Sequence, residues 1–74
     1  LILLADMAGV PMWDMNLTQP LALIVGGEAE GASEEAHHLA TGRISIPMPG
    51  RSESLNAAVA GSILIFEVLR QRRQ

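Results

Sequence analysis

Apolar runs along the chain predict three buried β-strands. Residues 1–5 and 21–25 are apolar at every position, a pattern typical of strands covered on both faces rather than of edge strands. Residues 43–46 form a third candidate, and Pro47 and Pro49 exclude its continuation within a sheet. The chain opens directly in the first run, with no turn or cap before it, so we expect it to start in mid-fold.

Two helices are predicted after these runs. Ser33 followed by Glu34 and Glu35 is a good helix start, because a hydroxyl caps the first turn and acidic groups favour its positive end. This short helix is expected to end near Ala40. A longer helix is expected to run from about Ser54 to the arginine-rich end.

The longer helix has two apolar faces, one of large and one of mostly small side chains. The first face consists of Leu55, Val59, Ile63 and Phe66, and the second of Ala57, Ala60, Gly61 and Leu64. A helix of this kind is expected to pack on more than one side, against the sheet and against a second subunit. Strands that alternate with helices predict an α/β fold with a parallel sheet.

The segment between the first two strands, residues 7–19, is rich in turn-forming residues. It predicts an ordered connection, with room for a short helical turn and with Met12 or Trp13 held against the core. Gly26, Gly27 and Gly31 follow the second strand and fit neither a dinucleotide-binding fingerprint nor a phosphate-binding loop.

Composition limits the possible functions. The chain has 74 residues, of which 49% are hydrophobic, and it has no cysteine, so disulfide bonds and thiolate metal sites are excluded. No apolar stretch approaches the roughly 20 residues that span a bilayer, and the start lacks the pattern of a signal peptide. We therefore expect a soluble, cytoplasmic protein. The net charge of −3 argues against strong nucleic-acid binding by this chain alone.

Two motifs resemble those of the SpoU-type RNA ribose 2′-O-methyltransferases. Residues 21–33, LALIVGGEAEGAS, resemble a buried strand that ends in Gly-x-Glu-x-x-Gly-x-Ser. Residues 46–50, IPMPG, followed by SLNAAVA at residues 54–60, resemble Ile-Pro-Met-x-Gly with Ser-Leu-Asn and a helix of small residues. Both motifs occur in the order and at the spacing of the family.

The resemblance implies a partial SPOUT methyltransferase domain, with residues 1–74 as its carboxy-terminal part. In the SPOUT (α/β knot) fold the chain passes through its own loop to form a trefoil knot, an exception to the rule that connections do not thread. The resemblance also implies a homodimer with cofactor sites near the subunit interface. The expected activity is methyl transfer from S-adenosylmethionine to a ribose 2′-hydroxyl in RNA. Ribosomal RNA is the first expected substrate and transfer RNA the second.

By the same resemblance, the knot loops hold S-adenosylmethionine mainly through backbone groups. The matching cofactor positions are Gly26, Gly27, Ile46, Met48 and Leu55. Glycines let the main chain approach the ligand closely, and stiff proline-containing loops lose little entropy on binding.

The active-site positions implied by the resemblance are Glu28, Ser54 and Asn56. Glu28 is expected to organise the site through hydrogen bonds. Ser54 is also able to cap the long helix, and Asn56 is expected within its first turn. Methyl transfer needs the hydroxyl aligned with the sulfonium methyl and its proton removed.

One family motif has no counterpart in this chain. The family's first motif is an Asn-x-Gly segment followed a few residues later by an arginine that positions or activates the ribose. Neither Arg43 nor Arg51 lies in that context. We therefore expect the chain alone to be inactive as an enzyme.

Two other interpretations stay open from the sequence. A cofactor-binding and dimerising remnant would keep the fold without the chemistry. A nucleotide-binding module would place a phosphate at the helix that starts after Ser33, although Glu34 and Glu35 would repel that anion. His37 and His38 suggest no metal site, because adjacent helix positions point roughly 100° apart and no third ligand is evident.

Overall fold

A computed structural model describes residues 1–26, 33–48 and 56–73. Its strands are β1 (Ile2–Pro11), β2 (Ala22–Ile24) and β3 (Gly42–Ser45), and its helices are α1 (Glu34–Leu39) and α2 (Ala57–Arg72), with a 3-10 turn at Met12–Asp14. The strands form one sheet in the order β2-β1-β3, and both pairs are parallel. The expected α/β class and parallel sheet are confirmed.

The central strand β1 separates two apolar layers. Leu3 and Leu4 are both fully buried, and because successive residues of a strand point to opposite faces, they belong to different layers. Leu3 packs in the main core cluster with Leu17, Ile44 and Leu64, the last of which lies on α2. The helix α1 lies beside β1.

The strand β1 is longer than the sequence predicted. Residues 2–5 pair in regular register, and then both Ala5 and Val10 pair with Ile44 of β3, so residues 6–9 leave the ladder and return to it. Gly9 makes this return possible: a Cβ there would lie 2.6 Å from the carbonyl carbon of Arg43. Residues 7–11, expected in a connection, therefore belong to the strand.

The prediction for the second strand was wrong in one respect. Residues 21–25 were expected in a strand covered on both faces, whereas β2 is shorter and lies at an edge of the described sheet. Ala22 is exposed, and Leu23 and Ile24 are half-buried. The central strand is β1, which alone has a described neighbour on each side and carries the fully buried Leu3 and Leu4.

The connection from β1 to β2 is ordered, as expected. It contains the 3-10 turn, and Met12 packs against the core while Trp13 is largely exposed. The end of α2 holds this connection by hydrogen bonds: the Leu17 amide donates to Gln71 Oε1 at 2.7 Å, and Arg72 Nε donates to the Leu17 carbonyl at 3.0 Å.

The helix α1 begins as predicted, and α2 begins later than predicted. Ser33 caps α1, its hydroxyl accepting from the Ala36 amide at 3.1 Å. The cap of α2 is Asn56, which accepts from the Ala58 amide at 2.8 Å, so Asn56 precedes the first turn instead of lying within it. Ser54, expected as a cap, lies outside the described residues.

The two faces of α2 differ in burial. On the face of mostly small residues, Leu64 is fully buried and Ala60 is half-buried. On the other face, Val59 is exposed and Phe66 is 71% exposed. The core of the described residues therefore packs against the face of mostly small residues and leaves Val59 and Phe66 of the other face exposed. Most of the segment expected to form the knot, residues 27–32 and 49–55, lies outside the described part of the chain, and the knot stays a prediction.

Candidate functional site

A cleft opens where the parallel strands of the sheet end. Carboxyl ends of parallel strands meet at one edge, which is where ligands bind in α/β sheets of this kind. The cleft lies between the excursion of β1, the segments after β2 and β3, and the first turns of α2. Its lining residues are Ala5, Asp6, Met7, Val25, Gly26, Ile44, Ser45, Ile46, Met48 and Ala60.

Three predicted cofactor residues meet in this cleft. Gly26 follows β2 directly, and Ile46 and Met48 follow β3. Gly26 lies 20 positions before Ile46 and 22 before Met48, and the parallel pairing of both strands with β1 brings the two segments together. The sequence-based expectation that two separate loops converge on one crevice is therefore met for the positions that the structure describes.

Asn56 lies at the entrance to α2 and does not line the cleft. Its side-chain oxygen accepts from the amides of Ala58, at 2.8 Å, and Val59, at 3.4 Å. One helical turn further along, Ala60 does line the cleft. The remaining predicted positions, Gly27, Glu28, Ser54 and Leu55, lie outside the described residues, and their roles stay predictions.

Sequence reasoning missed Asp6, the one charged side chain among the described residues that line the cleft. Its Oδ1 accepts from the Ala8 amide at 2.9 Å, and its Oδ2 accepts from Arg43 Nη1 at 3.5 Å. The Ala8 hydrogen bond, helped by the charge of Arg43 and opposed by burial, holds the pKa of Asp6 below its usual value. The carboxylate is therefore ionised at neutral pH.

Ser45 is a second polar residue that the sequence did not single out. It is buried, and its hydroxyl donates to the Gly9 carbonyl at 3.0 Å, which ties the end of β3 to the excursion of β1. One signal for both residues was available. Asp6 directly follows the apolar run at residues 1–5, and Ser45 lies near the end of the predicted strand at residues 43–46. The carboxyl ends of parallel strands are where such a sheet collects its ligand-binding groups.

The cleft has mainly apolar walls. Val25, Ile44, Ile46 and Met48 supply them, and Asp6 adds one negative charge. Such a lining suits a ligand with a flat apolar part and a cationic group, because small-molecule sites are mostly apolar with few polar groups that fix orientation.

The described residues contain neither a metal-binding cluster nor a helix that could span a membrane. Within residues 1–26, 33–48 and 56–73, no group of three or more His, Cys, Asp or Glu side chains is arranged to hold a metal ion. Neither α1 nor α2, the helices that the structure describes, has the length and apolar character needed to cross a membrane.

Known proteins of similar sequence are RNA methyltransferases by name. A tRNA (guanosine(18)-2′-O)-methyltransferase of Thermus thermophilus is 48% identical over 59 residues, which cover 80% of this chain and 30% of that protein. A 23S rRNA (guanosine-2′-O-)-methyltransferase of Xanthomonas axonopodis is 39% identical over 69 residues, 93% of this chain and 28% of the relative. The chain thus spans less than a third of either relative.

Solved structures agree with the sequence comparisons. The SpoU methyltransferase AviRb of Streptomyces viridochromogenes, in complex with the cofactor AdoMet, superimposes with a TM-score of 0.86 at 38% identity, over 96% of this chain and 28% of that one. The TrmH/SpoU tRNA-modifying enzyme of A. aeolicus gives a TM-score of 0.80 at 37% identity, over 96% and 37%. The family model for the SpoU rRNA methylases matches residues 1–66. With its motifs, fold and cleft in agreement, the chain belongs to the SpoU rRNA methylase family.

Proposed function

We propose that this chain is the cofactor-binding, carboxy-terminal part of an RNA ribose 2′-O-methyltransferase that uses S-adenosylmethionine. The observation that carries the proposal is the cleft in which Gly26, Ile46 and Met48 meet. Its apolar walls fit an adenosyl group, and Asp6 fits the positive charges of the methionine arm. A relative of the same fold has been solved with AdoMet bound.

The residues of this chain would bind the cofactor mainly by shape and backbone contacts. Gly26 at the end of β2 leaves room for the adenosine, and Ile46 and Met48 supply apolar walls of the cleft. Gly27 and Leu55 are proposed as further cofactor positions because they match the family motifs. Backbone groups at these positions would hydrogen-bond the adenine and fix its orientation. The bound cofactor supplies an electrophilic methyl group.

Glu28, Ser54 and Asn56 are proposed to arrange the acceptor ribose. They are neighbours in sequence of the proposed cofactor positions: Glu28 follows Gly27, and Ser54 and Asn56 flank Leu55. Glu28 would hold hydroxyl and amide groups by hydrogen bonds, and Asn56 would orient the start of α2 toward the site. Alignment of the hydroxyl with the methyl group accounts for much of the rate of such transfers.

The substrate is proposed to be ribosomal RNA, with transfer RNA second, in the cytoplasm. Relatives are named for both kinds of RNA. This chain carries few cations for an RNA footprint, with a net charge of −3. The missing first motif, with its Asn and Arg, would come from the rest of a longer protein, and the chain alone would be inactive.

A homodimer with knotted subunits is part of the same proposal. Val59, Ile65, Phe66 and Leu69 of α2 are exposed apolar residues, and clustered exposed apolar surface is typical of protein interfaces. A second subunit would cover this surface and place the cofactor cleft near the interface.

Calorimetric titration of the complete protein tests the cofactor assignment. We expect S-adenosylmethionine to bind and ATP not to bind at the same concentrations, because Asp6 and the acidic start of α1 repel phosphates. Binding of ATP alone would overturn the proposal. Cofactor binding without methyl transfer to any RNA would leave the non-catalytic remnant as the correct interpretation.

A pair of glycine variants localises the site. Gly26→Val should weaken cofactor binding at least tenfold, because a branched side chain would occupy the space beside the adenine. Gly61→Ala is the matched control, since its added Cβ would lie 3.7 Å from Val25 Cγ2, an ordinary contact. Equal affinity of Gly26→Val and wild type would remove Gly26 from the site.

A further inference from the structure

Neither of the two sequence motifs includes Asp6 or assigns it a role. It lines the cleft together with Gly26, Ile46 and Met48, and its side chain is 25% exposed. Because the surrounding walls are mainly apolar, a charge at this place acts through a medium that screens it less than bulk water does. A group of this kind discriminates between ligands by their charge.

Two donors hold the carboxylate in place, and a third hydrogen bond anchors the excursion that carries it. The Ala8 amide donates to Oδ1 at 2.9 Å, and Arg43 Nη1 lies 3.5 Å from Oδ2. The excursion that carries Asp6 is anchored at its other end by the bond from the Ser45 hydroxyl to the Gly9 carbonyl, at 3.0 Å. An ionised carboxylate has about four acceptor sites, so further donors or cations find free lone pairs.

Arg43 does not cancel this charge. Its side chain is 52% exposed, so solvent weakens its attraction for Asp6, as in most surface ion pairs. His37 on α1 also contributes, as the smallest cause, to the lowered pKa of Asp6. Neither Arg43 nor His37 lines the cleft, so on the cleft side the described residues present a net negative charge.

We propose that Asp6 is a specificity-determining residue that recognises the cationic methionine arm of S-adenosylmethionine. This inference rests on the proposed function, which supplies the ligand. The arm carries two positive groups, the sulfonium and the α-ammonium, and both are absent from the uncharged analogue 5′-methylthioadenosine. S-adenosylhomocysteine, the product of methyl transfer, keeps the ammonium and lacks the sulfonium. Asp6 therefore favours ligands that carry a cation beside the adenosine.

The test compares these three ligands on four forms of the complete protein: wild type, Asp6→Asn, Asp14→Asn and Arg43→Gln. Asn at position 6 keeps an oxygen that accepts from the Ala8 amide, removes the negative charge and replaces the second oxygen with an NH2 group of similar size. Asp14 is exposed and does not line the cleft, so Asp14→Asn controls for the change in net charge. Calorimetry gives each dissociation constant, and thermal unfolding shows that each variant is folded.

Asp6→Asn should weaken S-adenosylmethionine binding about tenfold, which corresponds to about 1.4 kcal/mol. Binding of 5′-methylthioadenosine should change less than twofold, and Asp14→Asn should change neither. Weaker binding of S-adenosylhomocysteine as well would assign the ammonium as the recognised group, and unchanged binding would assign the sulfonium. Both results support recognition of a cation.

Arg43→Gln removes the competing cation, so S-adenosylmethionine should bind equally well or two- to threefold more tightly. A tenfold loss in this variant would show that the ion pair, not the free carboxylate, shapes the site, and would overturn the inference. Equal losses of S-adenosylmethionine and 5′-methylthioadenosine in Asp6→Asn would overturn it too, as would no loss of either. If wild type bound no S-adenosylmethionine, the proposed function itself would fail.

Discussion

Protonation of Glu67 is expected to loosen the end of α2. Glu67 is 7% exposed, and its carboxylate accepts from Arg70 Nε and Nη2, both at 2.8 Å, and from Gln71 Nε2 at 2.9 Å. Gln71 in turn accepts from the Leu17 amide. The carboxylate therefore supports the hydrogen bonds that hold the connection from β1 to β2 against the helix.

The magnitude follows from the pKa of Glu67, which its bonds to Arg70 and Gln71 lower from 4.5 to about 2. One pKa unit corresponds to about 1.4 kcal/mol. The ionised Glu67 therefore contributes at most about 3 kcal/mol to the free energy of unfolding. Arg70 is 55% exposed, and solvent screening leaves about 1–2 kcal/mol. Because folding lowers this pKa, the contribution is complete above about pH 4.5 and is lost as the pH falls toward 2.

Urea denaturation of wild type and Glu67→Gln at pH 7 and pH 3 measures this contribution. The variant should be less stable by about 1–2 kcal/mol at pH 7, and the difference should shrink at pH 3, where wild type has lost part of the same energy. Other acidic groups titrate in both proteins, so the difference isolates Glu67. Asp14→Asn, at an exposed position, is the control and should follow wild type.

Hydrogen exchange gives a local measure of the same effect. The Leu17 amide donates to Gln71 Oε1 at 2.7 Å, so its protection should fall in Glu67→Gln more than protection within β1. An equal difference in unfolding free energy between variant and wild type at pH 7 and pH 3 would refute the reasoning. It would show that ionisation of the Glu67 carboxylate does not contribute to stability. Unchanged protection at Leu17 would refute its link to the connection.

Three further predictions concern single positions. Gly9→Ala should destabilise the fold by about 2–4 kcal/mol in urea denaturation, because its Cβ would lie 2.6 Å from the β3 backbone. Gly61→Ala, in contrast, should stabilise the fold by up to about 1 kcal/mol, because alanine has the higher helix propensity. Leu64→Ala should cost about 2–5 kcal/mol by the same assay, since Leu64 is fully buried in the core. Asn56→Ala should lower the free energy of unfolding by about 1 kcal/mol through loss of the helix cap, whereas Asn56→Ser should keep the cap. Asn56→Ala should also depress methylation more than cofactor binding. Equal loss of binding and methylation would refute an active-site role.

The sequence predicted the elements well because local signals determine them. Ser33 with its two following acids predicted the start of α1, and the structure has Ser33 as its cap. The apolar run at residues 1–5 predicted a buried strand, and Leu3 and Leu4 are fully buried. Motifs of the family predicted Gly26, Ile46 and Met48 as cofactor positions; the structure brings them to one cleft, and their contact with a cofactor stays a prediction.

What the sequence could not predict depends on contacts between distant segments. The edge position of β2 depends on which strands pair, and an apolar run does not indicate which strands will lie beside it. The start of α2 at Ala57 follows from the choice between two possible caps, Ser54 and Asn56, that local propensity does not rank clearly. The hydrogen bond between the Leu17 amide and Gln71 spans 54 positions, and no local sequence pattern predicts it.

The position of Asp6 shows how one such contact generates a functional group. Ala5 and Val10 both pair with Ile44, so residues 6–9 must leave the sheet and return within a short distance. The return brings the backbone of Gly9 against that of Arg43, which excludes any side chain at position 9. The same approach places the Arg43 guanidinium beside the Asp6 carboxylate. A single steric requirement thus positions the Asp6 carboxylate in the cleft beside Arg43. Loss of Gly9 should therefore disturb the ligand selection proposed for Asp6 even where the rest of the lining is intact.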